Sequence, residues 1–355
     1  MVIVRPATLS GRDPISAAPV RRKATNRSAM SPLNGSEKAH HTAGGFRNVP
    51  ETRQNTFFDL LRWQWQRRHR RPADPGSDHF PLATNDPAAL AANRSRTTVT
   101  WIGHATVLVQ MDGLNILTDP HFSERASPVQ WAGPQRVVRP GLSLHELPPI
   151  DVVLISHDHY DSLDTGTIRA LHQRGENDPR FYVPLGLKRW FRKQGVRNVT
   201  ELDWWDSDDG QTLEVTCLPV THWSKRLPWE RNRTLWSAWS VRSADFRFIF
   251  VGDSAYPARF LEIGRRLGPF DLAAIPIGAY EPRWFMNHHM TPEEAVAAHV
   301  DLQARRSVAI HWGTFMLSDE PLSEPALRLA RACEAAGLKA DEFTVFRHGQ
   351  TLYLR

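Results

Sequence analysis

From residue 97 onward the chain alternates short apolar runs with amphipathic stretches. Residues 97–102, 107–111 and 114–118 read as strands, the last two joined by Asp112-Gly113, a pair that suits a tight hairpin turn. Residues 152–155, introduced by Pro148, Pro149 and Asp151, read as a short buried strand, and 181–183 and 199–202 as two more. Apolar runs at 215–222, 247–253 and 307–311 repeat the strand pattern. Helices are predicted after Ser162, where Asp164 lies near the start, and over 185–194, 257–267, 292–305 and 324–336, the last stopped by Gly337. This alternation predicts an α/β fold, and 355 residues suit one large sandwich carrying a tail.

The ends of the strands carry the chemistry. Ile155-Ser-His-Asp-His-Tyr-Asp-Ser-Leu163 leaves the strand at 152–155 with His157 and His159 two residues apart, so that in an extended segment both imidazoles face one side, while Asp161 arrives as the chain turns into a helix. Imidazole with carboxylate suits a borderline metal such as zinc. A solvated loop rich in His and Asp is the plain alternative. Against it, later strands end in His222, Asp253 and His311, and such recurrence in order is a metal-site pattern.

That order resembles the metallo-β-lactamase superfamily, and four longer strings narrow the resemblance. They are Thr100-Trp-Ile-Gly-His-Ala-Thr-Val-Leu108, Leu117-Thr-Asp-Pro120, Glu201-Leu-Asp-Trp-Trp205, and the stretch from Gly268 through Asp271-Leu-Ala-Ala-Ile-Pro-Ile-Gly-Ala-Tyr-Glu-Pro-Arg-Trp-Phe-Met286. They are similar to the N-acylphosphatidylethanolamine-hydrolysing phospholipase D family, over about residues 45–353. The resemblance implies an αβ/βα four-layer sandwich binding two zinc ions. One would be held by His157, His159 and His222, the other by Asp161, a His directly after it and His311, with Asp253 bridging as the residue that positions the attacking water. This chain departs at one ligand, where Ser162 stands in place of that His. A serine hydroxyl is a poor zinc ligand, so the second ion either keeps Asp161, Asp253 and His311 with solvent or is absent. The resemblance also implies that His289, in Asn287-His-His-Met290, contacts the phosphate or protonates the leaving group, with His288 or a water as substitutes, and that Asp119 orients the metal turn from behind. His104 is expected to play a similar supporting part, or to be a turn residue only.

Charge divides the chain unevenly. Residues 1–71 hold 14 Lys or Arg against 4 Asp or Glu, and the remainder 30 against 34, leaving +10 in the tail and −4 in the body. A nucleic-acid partner is therefore not expected for the body, whereas the tail can meet phosphates. Residues 1–43 read as a basic disordered arm, with an Arg-rich mitochondrial-type presequence as the alternative. Residues 44–96 read as an N-terminal segment with a linker at 72–87. Within it Phe57, Phe58, Leu60, Leu61, Trp63 and Trp65 precede the Arg-rich run 67–71, and two readings fit: a helix at an anionic membrane interface, or a helix packed on the body. Residues 97–355 then form the catalytic domain. Two cysteines, far apart, and no apolar run near ~20 residues argue for a reducing compartment without a spanning helix, here a cytoplasmic, peripherally membrane-associated protein.

Tyr160, Trp223, Trp229, Trp284, Phe285 and Met286 form an aromatic cluster that by itself suits any apolar ligand, and that the resemblance implies is a mouth for acyl chains. The resulting expectation is a phosphodiesterase releasing N-acylethanolamine and phosphatidic acid from the N-acylated phospholipid. A nuclease or lactonase of the same superfamily, and a lipid-binding pseudoenzyme weakened by Ser162, are the alternatives. Oligomeric state is left open.

Overall fold

The computed structural model describes residues 38–52, 62, 63, 65–67, 80–174, 178–256 and 259–354. A short hairpin, β1 (His41–Thr42) and β2 (Gly45–Phe46), comes first. Helix α1 (Pro87–Ala92) follows, started by Asp86, whose carboxylate accepts the Ala89 N–H. The first large sheet takes β3 (Thr98–Gly103), β4 (Thr106–Met111), β5 (Leu114–Thr118), β6 (Val152–Leu154), β7 (Arg180–Pro184) and β8 (Val199–Leu202). Helices α2 (Thr165–Gln173) and α3 (Lys188–Lys193) link its parallel strands. The second takes β9 (Ser207–Asp209), β10 (Glu214–Leu218), β11 (Ala238–Arg242), β12 (Arg247–Phe250), β13 (Leu272–Pro276), β14 (Ser307–Ile310) and β15 (Phe343–Thr344), with α4 (Phe260–Leu267), α5 (Pro292–Asp301) and α6 (Glu324–Ala335) between them. The last strand, β16 (Thr351–Tyr353), crosses back to pair with β3, so the sheet orders are 16-3-4-5-6-7-8 and 15-14-13-12-11-10-9.

Strand alternation explains the layers. On β6, Val152 and Leu154 point into the core shared with the second sheet, where Trp239 and Phe250 lie, while Val153, with Ile155 just past the strand, points to a separate core with Ile168, Leu171 and Phe191 of α2 and α3. On the far side Phe260, Ile263, Ala295 and Val296 cover the second sheet with α4 and α5. Two sheets face to face, each backed by helices, make the four-layer αβ/βα sandwich that the resemblance implied.

The compact unit begins at Lys38. The reason is local: His40 is buried, stacks on Trp204 with ring centroids 4.3 Å apart, and donates to Asp203 at 2.6 Å, while His41 donates to the other oxygen at 2.8 Å. Phe80 and Leu90, assigned to the linker and the N-terminal segment, are also core residues. Residues 1–37, and with them most of the predicted arm, lie outside the described residues, as do 53–61 and 68–79 of the aromatic-basic stretch and linker. Of that stretch, Trp63 is buried with its indole N–H donating to Asp319 at 2.8 Å, and Arg67 donates to the carbonyls of Met316 and Ser318. These contacts are those of a helix packed on the body, while Trp65 on the same turn is 65% exposed.

Removing the Asp203 carboxylate strands a buried imidazole, so Asp203→Ala is expected to cost about 1.5–3 kcal/mol and lower the thermal midpoint. His40 and His41 hold the Asp203 carboxyl below its ordinary range against the upward pull of burial. A depressed carboxyl stabilises above its unfolded pKa of about 3.9, and that contribution is lost as pH falls through the folded value. The gap between wild type and variant should therefore close in acid. An unchanged midpoint at neutral pH would place the hairpin outside the cooperative unit.

Candidate metal centre

Each large sheet delivers its chemistry at strand ends on one rim. Past β6 the chain leaves the sheet with Ile155 still bonded to Tyr182, then turns through residues 156–162 into α2, which Asp164 caps. Arg226 staples this turn from the loop after β10, donating to the carbonyls of Asp158 and Leu163. On the opposite sheet the chain leaves β12 through Gly252, whose φ of +62° and close approach to Ser156 suit glycine: a Cβ there would stand 2.5 Å from that of Ser156. Asp253 follows it.

The side chains converge in two groups that meet at Asp253. His157 Nε2 lies 2.8 Å from His159 Nδ1, which is 3.2 Å from His222 Nε2, and Asp253 Oδ2 lies 3.7 and 3.8 Å from the nitrogens of His157 and His222. The same oxygen is 3.1 Å from His311 Nε2, which is 3.3 Å from Asp161 Oδ2. His104 Nε2 stands 3.1 Å from that Asp161 oxygen. His289 packs between the groups, its ring centroid 5.1 Å from His222 and 5.4 Å from His311.

The donor set fits a metal. Asp253 is 2% exposed, yet neither oxygen has a hydrogen-bond partner, and burial pushes its carboxyl upward even with His311 beside it. Burial likewise drives the imidazoles of His157 and His222 well below their usual range, so both are neutral, with lone pairs to give. His311 is the exception: burial pulls it down, but the carboxylates of Asp253 and Asp161 outweigh that and raise it to about 10. A buried carboxylate with no well-formed hydrogen bond, His311 alone beside it, and three imidazole nitrogens crowding one point are relieved together by one cation. Bonds of about 2.0–2.1 Å in a tetrahedral site place neighbouring ligand atoms about 3.3 Å apart, close to the separations seen here.

A second layer sets the tautomers. The hydroxyl of Ser156 lies 2.8 Å from His157 Nδ1 and donates to Asp119, which also takes the Ser156 N–H at 2.7 Å. His157 therefore gives its Nδ1–H to Ser156 and keeps Nε2 for a ligand. His222 donates from Nδ1 to the carbonyl of His288 at 2.9 Å, which fixes the same choice. The loop bearing His288 and His289 is held by Thr291, which caps α5 in a reciprocal box with Glu294. Ser162 is fully buried, with its hydroxyl turned toward Asp119 without closing a hydrogen bond of ordinary geometry.

The aromatic residues separate. Trp284, Phe285 and Met286 form a 3-10 turn beside His289, and Trp63 joins them with ring centroids 5.2 Å from Phe285 and 6.2 Å from Trp284. The Tyr160 hydroxyl is spent on the carbonyl of Arg226, whose guanidinium lies over its ring, so Tyr160 braces the metal turn. Sequence reasoning missed Ser156, Arg226 and the part of Trp63 in this wall. Gly252-Asp253 at a strand end was the one local signal for the close approach to Ser156.

This chain belongs to the metallo-β-lactamase superfamily: the family model described as a beta-lactamase superfamily domain matches residues 114–312. Within it, the narrower resemblance holds as well. The chain is 43% identical over 264 residues to N-acyl-phosphatidylethanolamine-hydrolyzing phospholipase D 1 of Caenorhabditis elegans, covering 71% of this chain and 74% of that protein. It is 44% identical over 282 residues to an uncharacterised protein of Mycobacterium tuberculosis, covering 78% and 73%. Among solved structures, a metallo hydrolase from Ignicoccus hospitalis superposes with a TM-score of 0.55 at 20% identity, over 73% of this chain and 98% of that one, and shares the fold. The family and the Caenorhabditis elegans relative support a hydrolase.

Ser156→Ala should loosen the His157 tautomer and weaken metal binding about 10–100-fold in competition with a chelator, with little change in fold. Unchanged affinity would remove Ser156 from the site.

Proposed function

We propose that this chain is a zinc-dependent phosphodiesterase of phospholipase D type, which hydrolyses N-acylphosphatidylethanolamine to an N-acylethanolamine and phosphatidic acid. The observation that carries this reading is the shared Asp253 between two donor groups, roofed by His289 and the wall of Trp63, Trp284 and Phe285. The relative named for that hydrolysis, at 43% identity, supports the substrate. The nitrogen-and-oxygen ligand set suits zinc. Bound there, zinc would lower the pKa of water toward about 7 and polarise a phosphoryl oxygen.

The protein's own groups do the rest. Asp253, reaching toward both groups of imidazoles, sets where the attacking oxygen and the phosphorus meet. Burial holds His289 well below its usual pKa, so at neutral pH it carries one N–H. A neutral imidazole donates a hydrogen bond to a phosphoryl oxygen but is a weak acid for the leaving group, which favours the first of the two roles expected for it. The wall of Trp63, Trp284 and Phe285 offers acyl chains an apolar surface and keeps water from the far side of the phosphate.

Membrane association follows as part of the same reading. Trp65 is 65% exposed beside the packed Trp63, and the chain before residue 72 carries +10. Among the described residues no helix is long and apolar enough to cross a membrane.

Two outcomes test the proposal. Stripping metal from the full chain should abolish hydrolysis of N-acylphosphatidylethanolamine in mixed micelles, and zinc should restore it, with mass spectrometry finding N-acylethanolamine and phosphatidic acid. Release of free fatty acid instead would overturn the reaction type. His289→Gln should lower kcat by about 10²–10³-fold with metal content unchanged. Full activity in that variant would take His289 out of the chemistry.

A further inference from the structure

Position 162 is where the family resemblance implies an imidazole, and Ser162 offers there only a buried hydroxyl without a hydrogen-bond partner, a poor metal ligand. Another imidazole already stands at the same carboxylate. His104 Nε2 lies 3.1 Å from Asp161 Oδ2, and its ring centroid is 4.2 Å from that of His311. One ligand atom each from His104, Asp161 and His311 falls within 4.8 Å of the others. We propose that His104 supplies the imidazole that position 162 lacks, completing a second metal site with Asp161 and His311. The inference rests on the metal reading of the site and not on its phospholipid substrate.

The backbone shows that His104 is held there. It sits in the turn between β3 and β4 with a φ of +53°, a left-handed conformation uncommon outside glycine and asparagine. Three hydrogen bonds secure it. Its N–H donates to Thr314 Oγ1 at 2.7 Å, and its carbonyl accepts from the Trp101 indole and from the His311 N–H, both at 2.9 Å. The last bond ties the two imidazole-bearing residues to each other through their backbones. The separations of 3.1 and 3.3 Å from Asp161 Oδ2 match the ~3.3 Å between neighbouring ligands of a tetrahedral ion.

Two rivals exist. His104 could act only as a hydrogen-bond donor to Asp161, and His289 could fill the vacant ligand place. His289, however, groups with Asp253 and His311 and not with Asp161, and its ring stands farther from His311, at 5.4 Å.

The test counts zinc per chain in the loaded, dialysed full-length protein. Wild type should hold about two ions, His104→Gln about one, and the double variant His104→Gln/Ser162→His about two again, while Ser162→His alone and His289→Gln stay near two. Glutamine can still donate to Asp161 but ligates zinc poorly, so two ions in His104→Gln would assign His104 to hydrogen bonding and overturn the proposal. One ion in wild type would also overturn it, as would loss of the second ion in His289→Gln. Should His104→Gln fail to fold, cobalt-substituted wild type decides: hyperfine-shifted ring protons of His104 are expected, and their absence contradicts ligation. Two ions with no phospholipid hydrolysis would sink the proposed substrate and leave His104 in place.

Discussion

Two carboxylates set side by side, Asp253 buried and Asp161 nearly so, are the constraint on which this rim depends. They face the same nitrogen of His311, at 3.1 and 3.3 Å. Isolated negative charge of that kind is strongly unfavourable in a protein interior, by several kcal/mol per ion after relaxation. Positive charge must therefore sit among them. Without metal a proton on His311 serves, which is why that imidazole is raised while its buried neighbours are lowered. A metal held in the same cradle would supply that charge instead, with His311 neutral among the residues that would hold it.

The fold answers that constraint by geometry. Parallel strands β5 to β8 in one sheet and β12 to β15 in the other end on a common rim, so loops from both sheets reach one point. Several of the residues involved hold positive φ, among them His104, Asp119 and His311. Such backbone costs on the order of 1–3 kcal/mol each and persists where packing and hydrogen bonds over-determine it. The Asp119–Ser156–His157 chain and the His222–His288 bond show that determination at work, each choosing which nitrogen is left free.

Much of this was legible in the chain itself. Residues 199–202 were expected as a strand and are β8, and β6, β12 and β14 end where His157, Asp253 and His311 were placed. Periodicity fared worse at the margins. The polar edge strand Ser207–Asp209 carries no apolar alternation, and α5 stops at Asp301 rather than 305 because the chain turns through Gln303 at a φ of +55°. Ser156 and Arg226 were invisible for a different reason. A serine beside a histidine and an arginine in a loop have no signature, and their parts depend on residues 37 and 68 positions away. His104 was noticed, but only the folded chain shows it 3.1 Å from Asp161.

The measurement that reaches the centre of this account is diffraction from crystals of the zinc-loaded protein on both sides of the zinc absorption edge. An anomalous peak is expected among His157, His159, His222 and Asp253, within about 2.0–2.2 Å of their ligand atoms. A loaded crystal with no peak there, or with zinc bound only elsewhere, would contradict it.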